Sequence, residues 1–577
     1  QYKATTTVNG TDITIPFYKN DGISLADIIA QSGLSPQTVG NVTFPLESIV
    51  IDGQSYSTGS TITANGDISF STITGTFAKW GIDSSGNIEF SSALQDGETV
   101  VINAQNIAKI NLPTDRTVTL DLRNASMQGN TIGSTFFQTD PAQARNSLTG
   151  IMLPDNLQTI DDQAFENCTN LSAITIPDSV TSIGSMAFES CEALETIIIP
   201  SGVTSVGSGA FEDCTGLLSV TISSGVGTIG QSAFNGCTHL TTLNIGSVNA
   251  IEAYAFSEVG ANSPEGVSVT FENPSVLQTI GNYAFSSGKL NGNVDLPASV
   301  TTIGNSAFDS CSGLTSIRMD SVTTIGSYAF NYCQNLTSVN MGNVQTIEER
   351  AFLNCTELKR INSNTDNIIN LPNTLQSIGE YCFAQSFADT PAPDEFTLVL
   401  PNNNNFEIGV SAFYFCTNIT TIKAQNANFN NGCTTNANYS TFFSSCTRIK
   451  TLDLRACSNI TINSLMLQDT NERVTILTGN YSDDKTITVT DDGNTFAKTP
   501  LFQGCDENGN LVANDSGIPH FNNSYTWNVT GTKWGNKDLY WYHDEYMGYM
   551  KYTGTTTIAG ETRPSYNDNQ TWPPAGE

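Results

Sequence analysis

The sequence predicts a solenoid, built by stacking many copies of one short unit, and two observations carry that prediction. First, phenylalanine recurs at a fixed interval, with Phe165, Phe188 and Phe211 each 23 residues apart. Second, the residues around each anchor form the same phrase, Ala-Phe-x-x-Cys, as in 187–191. Self-similarity at a period of about 20–50 residues indicates a repeat array. Further anchors stand at Phe234, Phe256, Phe285, Phe308, Phe330, Phe352, Phe383, Phe413 and Phe443, with Phe137 and Phe502 as outlying copies.

Each part of the unit C-x-x-L-x-x-I-x-I-P-x-x-V-x-x-I-G-x-x-A-F predicts a local structure. The segment L-x-x-I-x-I indicates a short strand with inward apolar side chains, and the following proline ends it because proline cannot donate to a ladder. V-x-x-I-G predicts a second extended or turn segment, and A-F-x-x-C predicts a tight helical or 3₁₀ turn. One unit cannot bury its apolar face alone, so about fourteen or fifteen turns are expected to stack around one core.

The cysteines are predicted to form a ladder of buried thiols. A free cysteine behaves as a small apolar residue, and Val259 fills the same position in one copy. The chain has only three histidines and no C-x-x-C, which argues against zinc. Disulfides between neighbours are the alternative, since stacked strands lie about 4.8 Å apart. Ten of the 13 cysteines follow an anchor by three residues: Cys168, Cys191, Cys214, Cys237, Cys311, Cys333, Cys355, Cys416, Cys446 and Cys505.

Composition excludes several partners. The 577 residues include 55 acidic and 23 basic side chains, a net charge of −32. Nucleic acid and anionic membrane surfaces need a cationic face, so neither is an expected partner. No apolar run of about 18 residues is present, which predicts no membrane-spanning segment. The chain starts at Gln1 without a signal-peptide pattern, which is consistent with removal of such a peptide.

The ends of the chain differ from the array. Residues 1–75 predict a small β-rich, β-grasp-like module, with a hairpin turn at Asn9-Gly10, a helix over 24–33 capped by Ser24, and a further hairpin between the segments 48–56 and 60–73. Residues 76–145 predict capping strands and first irregular repeats, including a hairpin that turns at 83–86.

The tail, 513–577, is rich in tryptophan and tyrosine. It predicts a C-terminal cap, with sugar stacking as the alternative. The candidate stacking residues are Trp534, Trp541 and Tyr542.

The repeat phrase closely resembles the BspA-like, or Treponema pallidum-type, leucine-rich repeat. The resemblance is carried by IPDSVTSIGSMAFESCEALETI, LPASVTTIGNSAFDSCSGLTSI and VTTIGSYAFNYCQNLTSV. It implies an α/β leucine-rich repeat solenoid with a parallel β-sheet over 146–512, regular to about 360 and built of longer units afterwards. It also implies a surface or secreted bacterial protein, and partners such as the matrix proteins fibronectin and fibrinogen.

Function is expected on the exposed strand residues. An adhesin-like protein would bind a macromolecule of a host or neighbouring cell there; the alternatives are a glycan at the aromatic tail and a spacer without a ligand. No H-E-x-x-H, P-loop or G-x-S-x-G motif is present, so no catalytic residue and no cofactor is predicted. DENGN at 506–510 spaces oxygens as in a calcium loop but lacks the twelfth-position glutamate, so no metal is predicted. The candidate ligand-binding residues are Thr175, Thr221, Asn244, Thr270, Arg318 and Asn340.

Overall fold

The computed structural model describes residues 78–137, 145–387, 395–403, 405–424, 442–457 and 474–477, together with the backbone of strands outside those ranges. The chain divides into two compact units, 1–220 and 221–577. The boundary falls inside the strand Ser219–Ile222. Both units are built from parallel strands, and the chain forms a β-solenoid of about 15 turns with almost no helix. The helical segments among the described residues are the 3₁₀ turns Gln128–Asn130 and Arg145–Ser147.

The N-terminal part is β-rich, as predicted. Its first hairpin pairs Tyr2–Val8 with Thr11–Phe17 in antiparallel register across Asn9-Gly10. A second sheet pairs Leu46–Ile51 with both Gln54–Ser57 and Ile73–Phe77. The remaining strands before residue 78 are Ile23–Ser24, Gln37–Val39, Val42–Phe44, Thr61–Ile62 and Ile68–Ser69.

Two predictions for this part fare differently. Ser24, predicted to cap a helix, ends the strand Ile23–Ser24, and 25–36 lie outside the described residues. The hairpin predicted at 83–86 is confirmed, because Trp80–Ile82 pairs antiparallel with Asn87–Phe90. The Asp83 carboxylate accepts the backbone N–H groups of Ser85 and Asn87 at 2.8 and 2.9 Å, which fixes the turn.

The first ladder consists of the longer strand of each turn. In the strands that the structure describes, side chains alternate between the core and solvent, as in Thr196–Ile199, because successive residues of a strand point to opposite faces. In unit 1 its strands are Glu98–Val101, Val118–Asp121, Leu148–Met152, Ala173–Thr175 and Thr196–Ile199. In unit 2 they are Thr242–Ile245, Ser268–Phe271, Gly292–Asp295, Leu314–Arg318, Ser338–Asn340, Arg360–Ile361, Ile368–Asn370, Phe396–Val399, Ile419–Lys423, Thr451–Asp453, Thr475–Asn480 and Leu501–Cys505.

The second ladder consists of two-residue strands that come from the V-x-x-I-G segment, for which the sequence predicted either an extended segment or a turn. Each pairs in parallel with the next, and its isoleucine or valine is buried. In unit 1 these strands are Thr131–Ile132, Thr159–Ile160, Ser182–Ile183 and Ser205–Val206. In unit 2 they are Thr228–Ile229, Ala250–Ile251, Thr279–Ile280, Thr302–Ile303, Thr324–Ile325, Thr346–Ile347, Ser377–Ile378 and Glu407–Ile408.

Further strands lie at the two ends of the array. Lys109–Ile110 pairs in parallel with Asn87–Phe90. Leu501–Cys505 is followed by Tyr540–His543, which pairs with it in parallel, and then by the antiparallel strands Tyr546–Tyr552 and Ile558–Thr562. These tail strands therefore extend the sheet of the first ladder. A further sheet contains Asn459–Asn463, Thr486–Thr490 and Thr526–Thr530.

The Ala-Phe turns form a third set of contacts, in a form that the sequence did not predict. Gln163, Phe165 and Asn167 donate their N–H groups to carbonyls of the next turn at 2.9, 2.7 and 2.8 Å. The residues between them, such as Ala164 and Glu166, donate instead to the carbonyl three residues back. Gln163 and Asn167 have φ of 56° and 58°, in the left-handed region that interrupts a helix. The expected helical or 3₁₀ turn is thus replaced by a hydrogen-bonded ladder.

The core is a column of phenylalanine rings with cysteines beside it. Phe188 stacks on Phe165 and on Phe211 with centroids 4.9 Å apart in each case, and all three are fully buried. The thiol ladder is confirmed for nine of its ten predicted members, because each of the nine that the structure describes is buried and none of them forms a disulfide. Cys382 and Cys457, which lie outside the predicted spacing, are also buried without a disulfide. The Cys191 thiol donates to the Phe165 carbonyl at 3.3 Å, and the Cys214 thiol makes the equivalent bond to the Phe188 carbonyl at 3.1 Å.

One predicted anchor is wrong. Phe502 lies in the strand Leu501–Cys505 of the first ladder, opposite Ile476 and Trp541, and not in an Ala-Phe turn. Its phrase, LFQGC, has the Phe-x-x-Cys spacing but lacks the Ile-Gly pair that stands a few residues before anchors such as Phe188 and Phe308. Cys505 accordingly belongs to a strand and not to the thiol ladder. Phe137 is confirmed as an early anchor, buried and 5.3 Å from Phe165.

Candidate functional site

The outward side chains of the first ladder form a surface that we call the strand face. Of the predicted binding residues, Thr175, Thr270, Arg318 and Asn340 are exposed, whereas Thr221 and Asn244 are half-buried. The small, polar character expected from the sequence is therefore displayed to solvent.

Two pairs of predicted residues come together in unit 2. Asn244 lies opposite Thr270 on adjacent strands, and the Thr270 hydroxyl donates to the Asn244 side-chain oxygen at 2.7 Å. Arg318 lies opposite Asn340, and its guanidinium pairs with Asp320 at 2.9 Å. Such contacts restrain these side chains on the surface of the ladder.

The sequence did not predict an extra strand in the first ladder. Arg360–Ile361 and Ile368–Asn370 are neighbours in this ladder and run parallel, although only 362–367 connect them. In the second ladder, by contrast, Thr346–Ile347 pairs directly with Ser377–Ile378. The chain therefore adds a strand to one ladder without adding one to the other, and we call 360–370 the strand insertion.

The side chain of Asn362 completes the ladder where the strand insertion interrupts it. Its amide oxygen accepts the N–H of Met341 at 2.8 Å, and its amide nitrogen donates to the carbonyl of Asn370 at 3.2 Å. A backbone peptide in a parallel sheet makes the same two bonds to its two neighbours. Asn362 has φ of 46°, a conformation that asparagine tolerates better than most residues. One side chain thus substitutes for a missing strand residue.

A depression of about 690 Å³ lies at the strand insertion. Its lining is mostly amide and hydroxyl side chains. Arg360 donates to the Ser338 hydroxyl at 3.1 Å and forms an ion pair with Asp366. The lining residues are Ser338, Val339, Asn340, Gly342, Arg360, Asn362, Ser363, Asn364, Pro372, Asn373 and Thr374. Of these, sequence reasoning had selected only Asn340 as a candidate; the asparagine-rich run 362–373 was the signal it passed over.

Several charged groups on the strand face form ion pairs. Near the C-terminal end of the described array, Asp453 is nearly buried. Its two carboxylate oxygens accept hydrogen bonds from the guanidinium of Arg455 at 2.8 and 2.7 Å. Burial raises the pKa of the Asp453 carboxyl, but the hydrogen bonds from Arg455 outweigh burial and leave that pKa below its usual value. Asp121 and Arg123 repeat the arrangement in unit 1. The strand face therefore carries ion pairs in both units, at Asp121 with Arg123 and at Asp453 with Arg455.

The other candidate sites lie outside the described residues. Trp541 and Tyr542 belong to the strand Tyr540–His543, but their side chains, like that of Trp534, are not described. The calcium-like stretch 506–510 also lies outside the described residues. Over the ranges that the structure describes, no group of three histidine, cysteine or acidic side chains is placed to hold a metal ion. No helix in those same ranges combines the length and the apolarity that crossing a membrane requires.

These features define a leucine-rich repeat solenoid, in which parallel strands and Ala-Phe turns stack around a phenylalanine and cysteine core. Six copies of the BspA type leucine rich repeat region match residues 130–262, 267–369 and 363–482. The chain belongs to the BspA-type leucine-rich repeat family.

Several solved structures are similar to the chain. A leucine-rich repeat protein from Bacteroides ovatus is 21% identical over 72% of this chain and 94% of its own, with a TM-score of 0.46. The leucine-rich repeat protein of Treponema pallidum is 31% identical over 28% of this chain and 77% of its own, with a TM-score of 0.25. A leucine-rich cell surface protein from Faecalibacterium prausnitzii is 19% identical over 66% of this chain and 89% of its own, with a TM-score of 0.26. No curated protein shows significant similarity.

Proposed function

We propose that this chain is a cell-surface or secreted bacterial recognition protein, adhesin-like in action, which binds a macromolecule of a host or neighbouring cell through its strand face. The observation that carries the proposal is the ordered row of hydrogen-bonding side chains on adjacent strands, exemplified by Arg318 opposite Asn340. Because these side chains sit on a hydrogen-bonded ladder, they offer a rigid surface to a partner.

Membership in a leucine-rich repeat family of surface proteins supports recognition in preference to catalysis. The family resemblance suggests fibronectin or fibrinogen as protein partners, and the polar strand face also suits a polysaccharide. The proposal requires that binding depend on strand-face residues and not on the other faces of the array.

The test is a binding measurement with the full chain. Fibronectin, fibrinogen, mucin and a panel of polysaccharides are immobilised, and the double variant Arg318→Ala/Asn340→Ala is compared with wild type by biolayer interferometry. We expect at least about a tenfold loss of affinity for the bound partner, since two interfacial hydrogen-bonding groups are removed. Asn249→Ala is the matched control, because Asn249 is exposed beside the second ladder.

The alternatives give different results. If Trp541→Ala abolishes binding and the strand-face variant does not, recognition belongs to the aromatic tail. If no partner in the panel binds, the chain behaves as a spacer and the recognition proposal fails.

A further inference from the structure

The depression at the strand insertion offers hydrogen-bond donors that the fold leaves unused. Asn340 and Asn373 each use the side-chain oxygen to accept a backbone N–H, from Gly342 at 3.4 Å and from Asn402 at 2.9 Å. Their amide –NH₂ groups are then available to a ligand, since an amide side chain carries two donors besides its acceptor. Asn364 is exposed on the connecting loop and adds a further amide to the lining.

The charges around the depression compensate each other. Arg360, in its lining, pairs with Asp366, and Arg318, on a neighbouring strand, pairs with Asp320. Arg360, the charged residue in the lining, therefore has a carboxylate partner, and so does Arg318 on the neighbouring strand. The lining itself thus presents a compensated charge and not a lone cation that would select an anionic ligand. The chain as a whole, at −32, repels a polyanion.

The depression also lacks the apolar anchors on which protein interfaces depend. The energetic centre of such an interface is usually an aromatic or large apolar side chain in a desolvated pocket. Here the large apolar residues of the two floor strands, Val339 and Ile361, are buried at 1% and 0% exposure. The contrast is Ile198, on the strand face of unit 1, which is 63% exposed. Binding at the depression must therefore rest on hydrogen bonds.

Building on the proposed recognition function, we infer that this depression binds a neutral, hydroxyl-rich glycan segment. A sugar hydroxyl donates and accepts at once, so it matches a lining in which amide –NH₂ groups, amide oxygens and paired guanidinium and carboxylate groups are interspersed. The volume of about 690 Å³ lies within the range of about 300–1,000 Å³ that small-ligand pockets occupy. Asn362, Ser363 and Asn364, at the start of the loop that the strand insertion supplies, line one side of the site.

The experiment uses the full chain and a panel of neutral oligosaccharides built from glucose, galactose or mannose, with oligogalacturonate and heparin fragments as charged counterparts. Affinities are measured by calorimetry for wild type, Asn364→Ala, Asn364→Trp and the control Asn249→Ala. We expect a neutral oligosaccharide to bind wild type and the control equally. Asn364→Ala should weaken that binding by about threefold to tenfold, because one hydrogen-bonding group is lost, and Asn364→Trp should weaken it more by filling the depression. Unchanged melting temperatures establish that both variants fold.

Each other outcome overturns the inference in a distinguishable way. A preference for the charged fragments refutes the neutral class of ligand. Neutral binding that both Asn364 variants leave intact refutes the site. If no oligosaccharide binds but fibronectin or fibrinogen binds with sensitivity to Arg318→Ala/Asn340→Ala, the glycan inference fails while the proposed recognition function stands.

Discussion

The cysteine of each unit acts through both its volume and its hydrogen bond. In unit 2 the thiols of Cys311, Cys333 and Cys355 donate to the carbonyl of the preceding phenylalanine anchor at 3.1, 3.1 and 3.2 Å. Ser386 occupies the equivalent position in the next repeat, and its hydroxyl donates to the Phe352 carbonyl at 2.6 Å. The position thus takes a small buried side chain, and a thiol or hydroxyl there also donates to the anchor carbonyl, which explains cysteine without any redox role.

Replacing one such thiol separates these contributions. Cys333→Ser keeps a donor for the Phe308 carbonyl and should cost about 1 kcal/mol or less. Cys333→Ala leaves the carbonyl without that donor and opens space, so the free energy of unfolding should fall by about 1–3 kcal/mol. Urea denaturation measures both, and Ser386→Cys is the reciprocal control, expected to be near neutral. Equal losses for serine and alanine would show that only volume matters.

The buried thiols also make stability depend on alkaline pH. Burial raises the pKa of Cys168 to about 12, against an ordinary value of 9.0, and it raises the pKa values of Cys191 and Cys311 as well. Between pH 9 and 12 the unfolded chain therefore binds fewer protons than the native chain, so stability is complete below about pH 9 and falls as pH rises. The urea midpoint should decline above pH 9, and less steeply in Cys168→Ser. An identical decline in that variant would assign the effect to other groups.

At the scale of the element, the strand insertion depends on one side chain. Asn362→Asp retains the acceptor for Met341 N–H but loses the donor to the Asn370 carbonyl, and we expect a loss of about 1 kcal/mol. Asn362→Ala loses both bonds and places a less tolerant residue at positive φ, so a loss of about 2–3 kcal/mol is expected. Denaturation and hydrogen exchange at the Met341 amide report the effect. Asn364→Ala, on the exposed loop, should stay within about 0.5 kcal/mol of wild type.

The elements differ in how far sequence could predict them. The phenylalanine and isoleucine spacing predicted the core and both ladders, because identical positions must stack in a repeat. It could not place the strand insertion, since Arg360–Ile361 and Ile368–Asn370 both look like strand fragments and nothing local says which ladder each joins. The left-handed turns were equally hidden, because Met186, Tyr254 and Arg350 adopt positive φ without any intrinsic preference for it. The amide-lined depression depends on that insertion and was missed with it.

At the scale of the molecule, stability is distributed along an array. Phe211 is fully buried and stacks on Phe188. Phe211→Ala should cost about 3–5 kcal/mol, as truncation of a buried aromatic does. Because repeat units couple through their neighbours, we expect calorimetric melting to broaden or divide into two transitions. A melting temperature within one degree of wild type would contradict the importance of this ring.

The net charge of −32 acts on the same scale. Like charges repel more strongly in the compact state than in the unfolded chain, and salt screens them with a Debye length of about 30 Å at 0.01 M and about 8 Å at 0.15 M. The melting temperature should therefore rise between these ionic strengths at pH 7. A fall would mean that the ion pairs, such as Asp453 with Arg455, outweigh the repulsion.

The Ala-Phe turn ladder has a consequence for how such proteins change over generations. In the regular region, the turn N–H groups of each repeat donate to carbonyls of the next repeat. The turn carbonyls of that repeat accept the equivalent hydrogen bonds from the repeat before it. A repeat in this region therefore forms the same hydrogen bonds to its neighbours at any position along the array. Unequal recombination that duplicates or deletes one whole 23-residue coding segment leaves every junction chemically intact. Lineages can thus lengthen or shorten the array in single steps while its core stays unaltered.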